Sequence, residues 1–231
     1  MSQQQAARTT SVILLAGGIG TRMKALIPKQ YLSLRGKPIA QYSFDLFLTI
    51  PEVLEVIVVC ETRYQDLFKT TNASPNIKFA EPGPRRQDSL FKGLQQISQN
   101  STLVCVHDSA RPFITREMVL RVLQEGRVHG AATVGMPIRF TVKERTPEGF
   151  VKQTLDRSLI WEIQTPQVTT PELLRKGFEK ALAHNIDVTD DVALVELLGR
   201  PVKLVEGSYG NLKITTPEDV AIAEKLYTPL S

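Results

Sequence analysis

The residues best suited to chemistry lie in a glycine-rich loop that follows the first apolar run of the chain. Segment 14–23 carries three glycines and Arg22, and Lys29 follows seven residues after that arginine. Glycine has no Cβ, so backbone N–H groups in such a loop can wrap closely around an oxyanion. With two cations beside it, the loop suits a triphosphate that is both held and attacked. Its glycines are Gly17, Gly18 and Gly20.

Two familiar phosphate motifs do not fit this loop. A P-loop ends in Gly-Lys-Ser/Thr, but Arg22 stands five residues after Gly17 and no such triplet follows. A dinucleotide-binding loop needs a third glycine, where this chain has Met23, and an acidic residue about 20 positions later. Glu61, at the end of the next predicted strand, lies much too far along. An ordinary glycine-rich turn is the alternative, which the nearby Arg22 and Lys29 disfavour.

Further loops carry charge next to predicted elements. Asp108 follows an apolar run and could bind Mg²⁺ or a ligand hydroxyl, while Arg111 could hold a phosphate through two hydrogen bonds. The alternative is a helix-capping Asp with an internal Arg partner. Segment 82–89 precedes a predicted helix whose N-terminus could meet a base or a phosphate, or it is a solvated turn. Polar loops at 156–157, 164–167 and 211–215 contribute the cations Arg157 and Lys213.

The sequence offers no nucleophile paired with a base. The three histidines, His107, His129 and His184, are dispersed, and no Gly-x-Ser-x-Gly elbow occurs. Cys60 and Cys105 lie at the ends of apolar runs, which predicts buried strand residues in a reducing compartment. No Cys-x-x-Cys or Cys/His cluster indicates zinc. A covalent mechanism is therefore not expected.

Short apolar runs alternate with amphipathic stretches, which predicts a βαβ series. The β-branched runs favour strands covered on both faces, as in a parallel sheet, and hence a three-layer α/β/α Rossmann-like fold. Ligands of such sheets lie beyond the carboxyl ends of the strands, where the glycine loop and Asp108 are expected. The predicted strands are 11–16, 55–60, 77–80, 103–107 and 131–136, and the helices are 39–48, 64–70, 86–97 and 115–126.

The pattern changes after Pro137. Strands at 140–143 and 151–155 are predicted around a turn at 146–149. An isolated hairpin is barely stable in water, so this one leans on a second subunit or on its own domain. Two later helices have Thr as N-cap and Pro as the first helical residue, at Thr170 and Thr216. The later elements are helices to about residue 184, at 190–198 and to about residue 227, and a strand at 202–206.

Length and composition are those of one globular domain, residues 1–231, with an arm at about 138–160 and polar tails at 1–10 and 228–231. The formal net charge of +4 is scattered along the chain, which favours anionic substrates over nucleic acid. The sequence has no apolar stretch of about 18 residues, so no membrane span is predicted. The first ten residues have no apolar segment typical of a signal peptide and are too short for a complete organelle transit sequence.

Taken together, the motifs resemble the 2-C-methyl-D-erythritol 4-phosphate cytidylyltransferase family. They occur in family order from about residue 11 to 227, nearly the whole chain. The glycine loop alone would indicate only a nucleotidyltransferase. The matching segments are 15–23, 28–31, 86–89, 107–112, 155–157, 165–167, 188–191 and 211–219.

The resemblance implies transfer of CMP from CTP to 2-C-methyl-D-erythritol 4-phosphate, with Mg²⁺ or another divalent cation. It also implies a homodimer whose hairpin arm reaches into the partner's site. A catalytic role is implied for Arg22, Lys29, Arg157 and Lys213. Binding of CTP is implied for Ala16, Gly17, Gly18, Gly20, Thr21, Arg22, Lys29, Gly83, Ser89, Asp108 and Ser109. Binding of the acceptor is implied for Asp108, Arg111, Thr141, Arg157, Thr165 and Lys213.

Some points stay open at this stage. Asp108 is the candidate metal ligand, and the alternative is that the triphosphate itself holds most of the Mg²⁺. The acceptor could be another polyol phosphate, such as ribitol 5-phosphate, with differences expected around Thr141, Arg157 and Thr165. A bacterial cytoplasm and a plastid stroma are both compatible with the chain. Neither nucleic acid nor a membrane is expected as a partner.

Overall fold

A mostly parallel sheet forms the centre of the fold in the computed structural model, which describes residues 8–18, 27–70 and 75–226. The strands of these ranges are β1 (Thr10–Leu15), β2 (Ser33–Leu34), β3 (Lys37–Pro38), β4 (Val53–Val59), β5 (Asn76–Ala80), β6 (Leu103–Asp108), β7 (Ala131–Pro137), β8 (Lys143–Arg145), β9 (Val151–Thr154), β10 (Trp161–Thr169) and β11 (Lys203–Glu206). Seven of them form the main sheet in the order β11-β7-β10-β6-β1-β4-β5. Only β10 runs antiparallel to its neighbours in this described sheet.

Helices cover both faces of the sheet. The described α-helices are α1 (Ile39–Leu48), α2 (Arg86–Leu94), α3 (Arg116–His129), α4 (Pro171–Ala183), α5 (Ala193–Glu196) and α6 (Pro217–Leu226). Along β1, Val12 and Leu14 pack in the core beneath α1 and α3, whereas Ile13 packs in the core beneath α2 and α4. Both faces of β1 are therefore buried, which confirms the predicted three-layer arrangement.

Local sequence signals explain where the helices begin and end. Thr115 Oγ1 accepts from the Met118 N–H at 3.3 Å and caps α3, which ends at Gly130 with φ +82°. Only glycine adopts this left-handed conformation without strain. Thr170 caps α4 in the same way, with Pro171 as the first helical residue, as predicted.

The central strand β10 was not predicted. The sequence indicated a polar loop at 164–167, and that prediction is wrong. Gln167 pairs with Val106 of β6 on one side and with Thr133 of β7 on the other. Gln164, Thr165 and Gln167 are buried, so their polar groups are satisfied by side-chain hydrogen bonds rather than by water.

The hairpin arm is present, but its first strand lies later in the chain than the predicted 140–143. Strand β8 begins at Lys143 instead of residue 140, and Phe140 is exposed. The predicted turn is confirmed, because the Gly149 N–H donates to Thr146 O at 3.0 Å and Gly149 has φ +97°. This hairpin forms a sheet of its own, separate from the main sheet.

Several other elements differ from prediction. The helix expected at 64–70 is a 3-10 helix, Thr62–Phe68, and the helix expected at 190–198 shortens to α5. The strand pair β2–β3 was not predicted. The 3-10 helices Lys29–Tyr31 and Arg157–Leu159 also lie in predicted loops. Cys60 and Cys105 are buried and are not joined by a disulfide. Among the described helices, none has the length and apolar character needed to cross a membrane.

Candidate active site

A cavity of about 350 Å³ opens at the carboxyl edge of the sheet. Strands β1, β4, β5 and β6 are mutually parallel, so the loops that follow them converge on this edge, where ligands of such sheets bind. The cavity is lined by Leu15, Gly17, Gly18, Lys29, Gln30, Glu61, Pro82, Gly83, Pro84, Arg85, Arg86, Ser89, Asp108, Ser109, Ala110 and Lys213.

The start of the glycine loop is clamped by the 3-10 helix Lys29–Tyr31. Gln30 Nε2 donates to the carbonyl oxygens of Ala16 at 2.7 Å and Gly18 at 3.0 Å. The Tyr31 hydroxyl also donates to Ala16 O, at 2.7 Å, and burial raises the pKa of Tyr31. With these carbonyls engaged, Gly17, Gly18 and Lys29 line one wall of the cavity. The predicted ligands Gly20, Thr21 and Arg22 lie outside the described residues.

Gly17 is required by close packing between two loops. A Cβ added to Gly17 would lie 2.3 Å from Pro82 Cβ, on the loop that follows β5. At Gly18 an added Cβ would have no heavy atom within 4 Å. Packing therefore accounts for Gly17, which joins the β1 loop tightly to the β5 loop, and not for Gly18.

The loop that follows β5 and precedes α2 lines the cavity beside the glycine loop. The Gly83 N–H donates to Ser89 Oγ at 3.0 Å, and an added Cβ at Gly83 would lie 2.4 Å from Asp88 Cβ. Asp88 in turn accepts from the Arg85 backbone N–H at 3.1 Å. Gly83 and Ser89 line the cavity near the N-terminal end of α2, and their binding of CTP stays a prediction.

Asp108 lies at the end of β6 between two cations. Its Oδ1 accepts from Arg86 Nε and Nη2 at 3.1 and 2.9 Å, and its Oδ2 accepts from Lys213 Nζ at 2.5 Å. Burial alone would raise the pKa of Asp108, but Arg86 and Lys213 outweigh it and hold that pKa well below its usual range. The carboxylate is therefore ionised and fixed at the cavity wall.

Arg86 is shared with a second, deeper carboxylate. Its Nη2 donates to Asp191 Oδ2 at 2.9 Å, and its Nη1 donates to the other oxygen. Asp191 is itself held from β10, because its backbone N–H donates to Gln167 Oε1 at 2.8 Å. Burial raises the pKa of Asp191. Gln167 therefore holds Asp191, Asp191 holds the Arg86 guanidinium, and that guanidinium holds Asp108.

His107 has no catalytic geometry. Its Nε2 lies 3.1 Å from Arg111 O, which can only accept, so Nε2 carries the proton. Its Nδ1 then accepts from the Thr165 hydroxyl at 2.9 Å, and Thr165 Oγ1 accepts from the Asp108 N–H at 3.1 Å. Burial lowers the pKa of His107 to about 3, so the ring is neutral. His107 and Thr165 hold the end of β6 in place.

The predicted residues divide into two groups. Arg111 is buried and donates to Asn211 O at 2.7 Å, while Thr141 and Arg157 are exposed on the arm. None of these three lines the cavity, nor do the buried Ala16 and Thr165, so their contacts with substrate stay predictions. The cavity does bring together Gly17, Gly18, Lys29, Gly83, Ser89, Asp108, Ser109 and Lys213.

Sequence reasoning missed Arg86 and Asp191 as members of the site. Both lie in segments that carried the family resemblance, 86–89 and 188–191, so a signal was present. What the sequence lacks is any sign that residues 105 positions apart form an ion pair. Arg85, which also lines the cavity, pairs with Asp88 and Asp187.

Comparisons with known proteins identify the family of this chain. A family model described as 2-C-methyl-D-erythritol 4-phosphate cytidylyltransferase matches residues 10–228. A protein of Oryza sativa subsp. japonica named as the chloroplastic form of that enzyme is 52% identical over 221 residues, covering 95% of this chain and 74% of the relative. The enzyme of the same name from Chlamydia pneumoniae is 42% identical over 217 residues, covering 94% of this chain and 98% of the relative.

Solved structures give the same fold. The 4-diphosphocytidyl-2C-methyl-D-erythritol synthase from Anaerococcus prevotii superposes with a TM-score of 0.84 at 30% identity, covering 94% of this chain and 97% of that chain. The 2-C-methyl-D-erythritol 4-phosphate cytidylyltransferase from Thermus thermophilus has a TM-score of 0.76 at 32% identity, covering 94% of this chain and 98% of that chain.

Proposed function

The chain belongs to the 2-C-methyl-D-erythritol 4-phosphate cytidylyltransferase family, and we propose that its chemistry takes place in the cavity at the carboxyl edge of the sheet. The enzyme transfers CMP from CTP to 2-C-methyl-D-erythritol 4-phosphate (below, methylerythritol phosphate). The products are 4-diphosphocytidyl-2-C-methyl-D-erythritol and pyrophosphate. The observation that carries the assignment of this cavity is the fixed Asp108 between Arg86 and Lys213, in a cavity that the glycine loop and Lys29 also line.

This reaction needs cations more than it needs a base. The acceptor phosphate is already an anion, and its oxygen attacks the α-phosphorus of CTP while the bond to the bridging oxygen of the β-phosphate breaks. Negative charge therefore grows on the α-phosphate oxygens and on pyrophosphate, where fixed positive groups stabilise it. His107, neutral and bonded at both ring nitrogens, has no role as a base in this scheme.

We assign separate tasks to the two lysines. Lys29, beside Gly17 and Gly18, faces the triphosphate and stabilises charge on the α-phosphate. Lys213, held by Asp108 in the same cavity, orients the acceptor phosphate for in-line attack. Arg22 joins Lys29 by its place in the matching family motif.

We propose that a divalent cation, Mg²⁺ by preference, enters with the triphosphate. Among the described residues no group of three or more possible ligands forms a metal site, and Asp108 and Glu61 are the carboxylates that line the cavity. Mg²⁺ commonly uses one or two carboxylates plus substrate phosphates, which a single Asp108 fits. The ion would neutralise phosphate charge, and Asp108 would hold it through lone pairs not engaged by Arg86 and Lys213.

We also propose a homodimer in which each arm reaches the partner's cavity. Four apolar side chains of the arm are largely exposed, an unusual concentration of apolar surface on so small an element. The predicted acceptor ligands Thr141 and Arg157 lie on this arm and outside the cavity of their own chain. The exposed apolar residues are Phe140 at 81%, Phe150 at 74%, Val151 at 64% and Leu159 at 77%.

The names of the relatives support two candidate compartments. The name of the rice relative, at 52% identity, supports a plastid stroma, and the bacterial relatives support a cytoplasm. The names of these relatives favour methylerythritol phosphate over ribitol 5-phosphate as the acceptor. Neither nucleic acid nor a lipid surface is required as a partner.

Pyrophosphate release tests the function directly. Purified protein is assayed with Mg²⁺ and each of CTP, UTP, GTP and ATP, against methylerythritol phosphate, ribitol 5-phosphate and glycerol 3-phosphate. We expect release with CTP and methylerythritol phosphate, and its loss in Lys213→Ala. Faster release with ribitol 5-phosphate would contradict the assignment.

Omission of the metal tests the cofactor proposal, and sedimentation of Leu159→Asp, expected to be monomeric, tests the dimer.

A further inference from the structure

Tyr209 joins the root of the arm to the loop that carries Lys213. The Tyr209 hydroxyl donates to Pro137 O at the end of β7, at 2.8 Å. The guanidinium carbon of Arg139 lies 3.2 Å from the centroid of the Tyr209 ring, a cation–π contact. Pro137 and Arg139 are the residues at which the chain leaves the main sheet and enters the arm.

The two ends of the arm are also tied to each other at this point. The Ile138 N–H donates to Ile160 O at 3.0 Å, and Arg157 Nη1 donates to Arg139 O at 3.1 Å. A shift of Arg139 on the Tyr209 ring would therefore move Arg157, the arm residue assigned to the acceptor phosphate. Tyr209 therefore contacts the root of the arm from outside the arm.

On its other side, Tyr209 belongs to a tight turn that ends at Lys213. Asn211 is buried, and its Nδ2 donates to Thr165 O at 2.9 Å and to Gln164 Oε1 at 3.0 Å. The Ile214 N–H donates to Ala110 O at 2.9 Å, which sets Lys213 opposite Asp108. The turn is therefore anchored on β10 at Asn211 and on the loop after β6 at Ile214.

From this continuous set of contacts we infer that Tyr209 is a positioning residue that couples the placement of Lys213 to the direction of the arm. The inference rests on the proposed homodimer, in which that arm enters the partner's cavity. Each Tyr209 then acts on two sites, on its own through Lys213 and on the partner's through Arg157. A residue that only supports its local turn would act on one site.

Mixed dimers separate these two effects. One Lys213→Ala subunit is paired with one Arg157→Ala subunit. The one complete site of this dimer combines Lys213 of the Arg157→Ala subunit with the arm of the Lys213→Ala subunit. Tyr209→Ala is then added to either subunit alone. We expect KM for methylerythritol phosphate in the remaining site to rise roughly threefold to tenfold in both placements, as for loss of one exposed cation–π contact and one hydrogen bond. KM for CTP should stay within twofold.

The controls distinguish this inference from the proposed dimer. Tyr209→Phe keeps the ring beneath Arg139 and loses only the bond to Pro137, so its effect should be smaller than that of Tyr209→Ala. Thermal unfolding of both variants checks that the fold is kept. An effect from only one placement overturns the coupling while the dimer stands. If the mixed dimer without a Tyr209 substitution regains no activity, the shared site is wrong and the coupling with it.

Discussion

Arg86 donates through Nε and Nη2 to one oxygen of Asp108, while the other oxygen of that carboxylate accepts from Lys213. The three groups come from α2, from the end of β6 and from the loop after β11. Since Asp108 is ionised, it neutralises part of the cationic charge and fixes the Lys213 ammonium where it can meet an anionic substrate. The predictions below test this charge arrangement and the packing around it.

Replacement of Lys29 should act on the chemical step. Lys29→Ala is expected to lower kcat roughly 10²–10³-fold, about 3–4 kcal/mol, as for loss of one preorganised donor. Lys29 lines the cavity next to Gly17 and Gly18, where the triphosphate is expected. Steady-state pyrophosphate release measures the effect, with Lys29→Arg as the charge-keeping control. Near-normal turnover of Lys29→Ala would remove Lys29 from the mechanism.

Replacement of Arg86 should destabilise the fold and also disorder the site. Arg86→Met leaves Asp191 without its cationic partner and Asp108 with Lys213 alone, and a buried carboxylate that loses its partner is costly. We expect a loss of roughly 2–4 kcal/mol in the free energy of unfolding, measured with urea at pH 7. The neighbouring Arg85→Met is the matched control, because Arg85 is exposed, and it should change stability less. Equal effects of the two substitutions would contradict this account.

Stability should fall between pH 7 and pH 5 because of His107. Burial lowers the pKa of His107 to about 3 in the folded protein, from 6.5, so the unfolded chain binds the proton first as pH falls. Acid therefore favours unfolding, and the loss from this group at pH 5 is about 2 kcal/mol relative to pH 7. Urea unfolding at both pH values measures it. In His107→Gln the difference in the free energy of unfolding between pH 7 and pH 5 should shrink. An unchanged difference would assign it to other titrating groups.

Two adjacent glycines give a matched test of packing. Gly17→Ala forces a Cβ against Pro82, and we expect it to lower the free energy of unfolding by about 1–3 kcal/mol. Gly18→Ala meets no heavy atom within 4 Å and should change stability by less than about 0.5 kcal/mol. Thermal and urea unfolding of the two variants decide. The account fails if Gly18→Ala is the more destabilising of the pair.

Much of the fold could be predicted because apolar residues recur along the chain at the spacing typical of buried strands and helices. The apolar β-branched runs predicted β1, β4, β6 and β7 to within two residues at each end, and α1 was predicted with the bounds it has. The same parallel order placed the glycine loop and Asp108 at one edge of the sheet. Lys29 and Lys213, which stand in predicted polar loops, and Gly83 and Ser89, which the family resemblance implied, line the cavity.

The rest was decided by tertiary contacts that leave no local pattern. Strand β10 is buried although Gln164, Thr165 and Gln167 are polar, because neighbouring strands and loops supply the hydrogen bonds that water would otherwise supply. Arg86 joins Asp108 and Asp191 only because β6, α2 and the segment before α5 meet in space. Sequence by itself determined which groups carry charge and which strands are apolar. Only the three-dimensional packing decided which charges face each other, since attraction between charges depends on their distance in space and not along the chain.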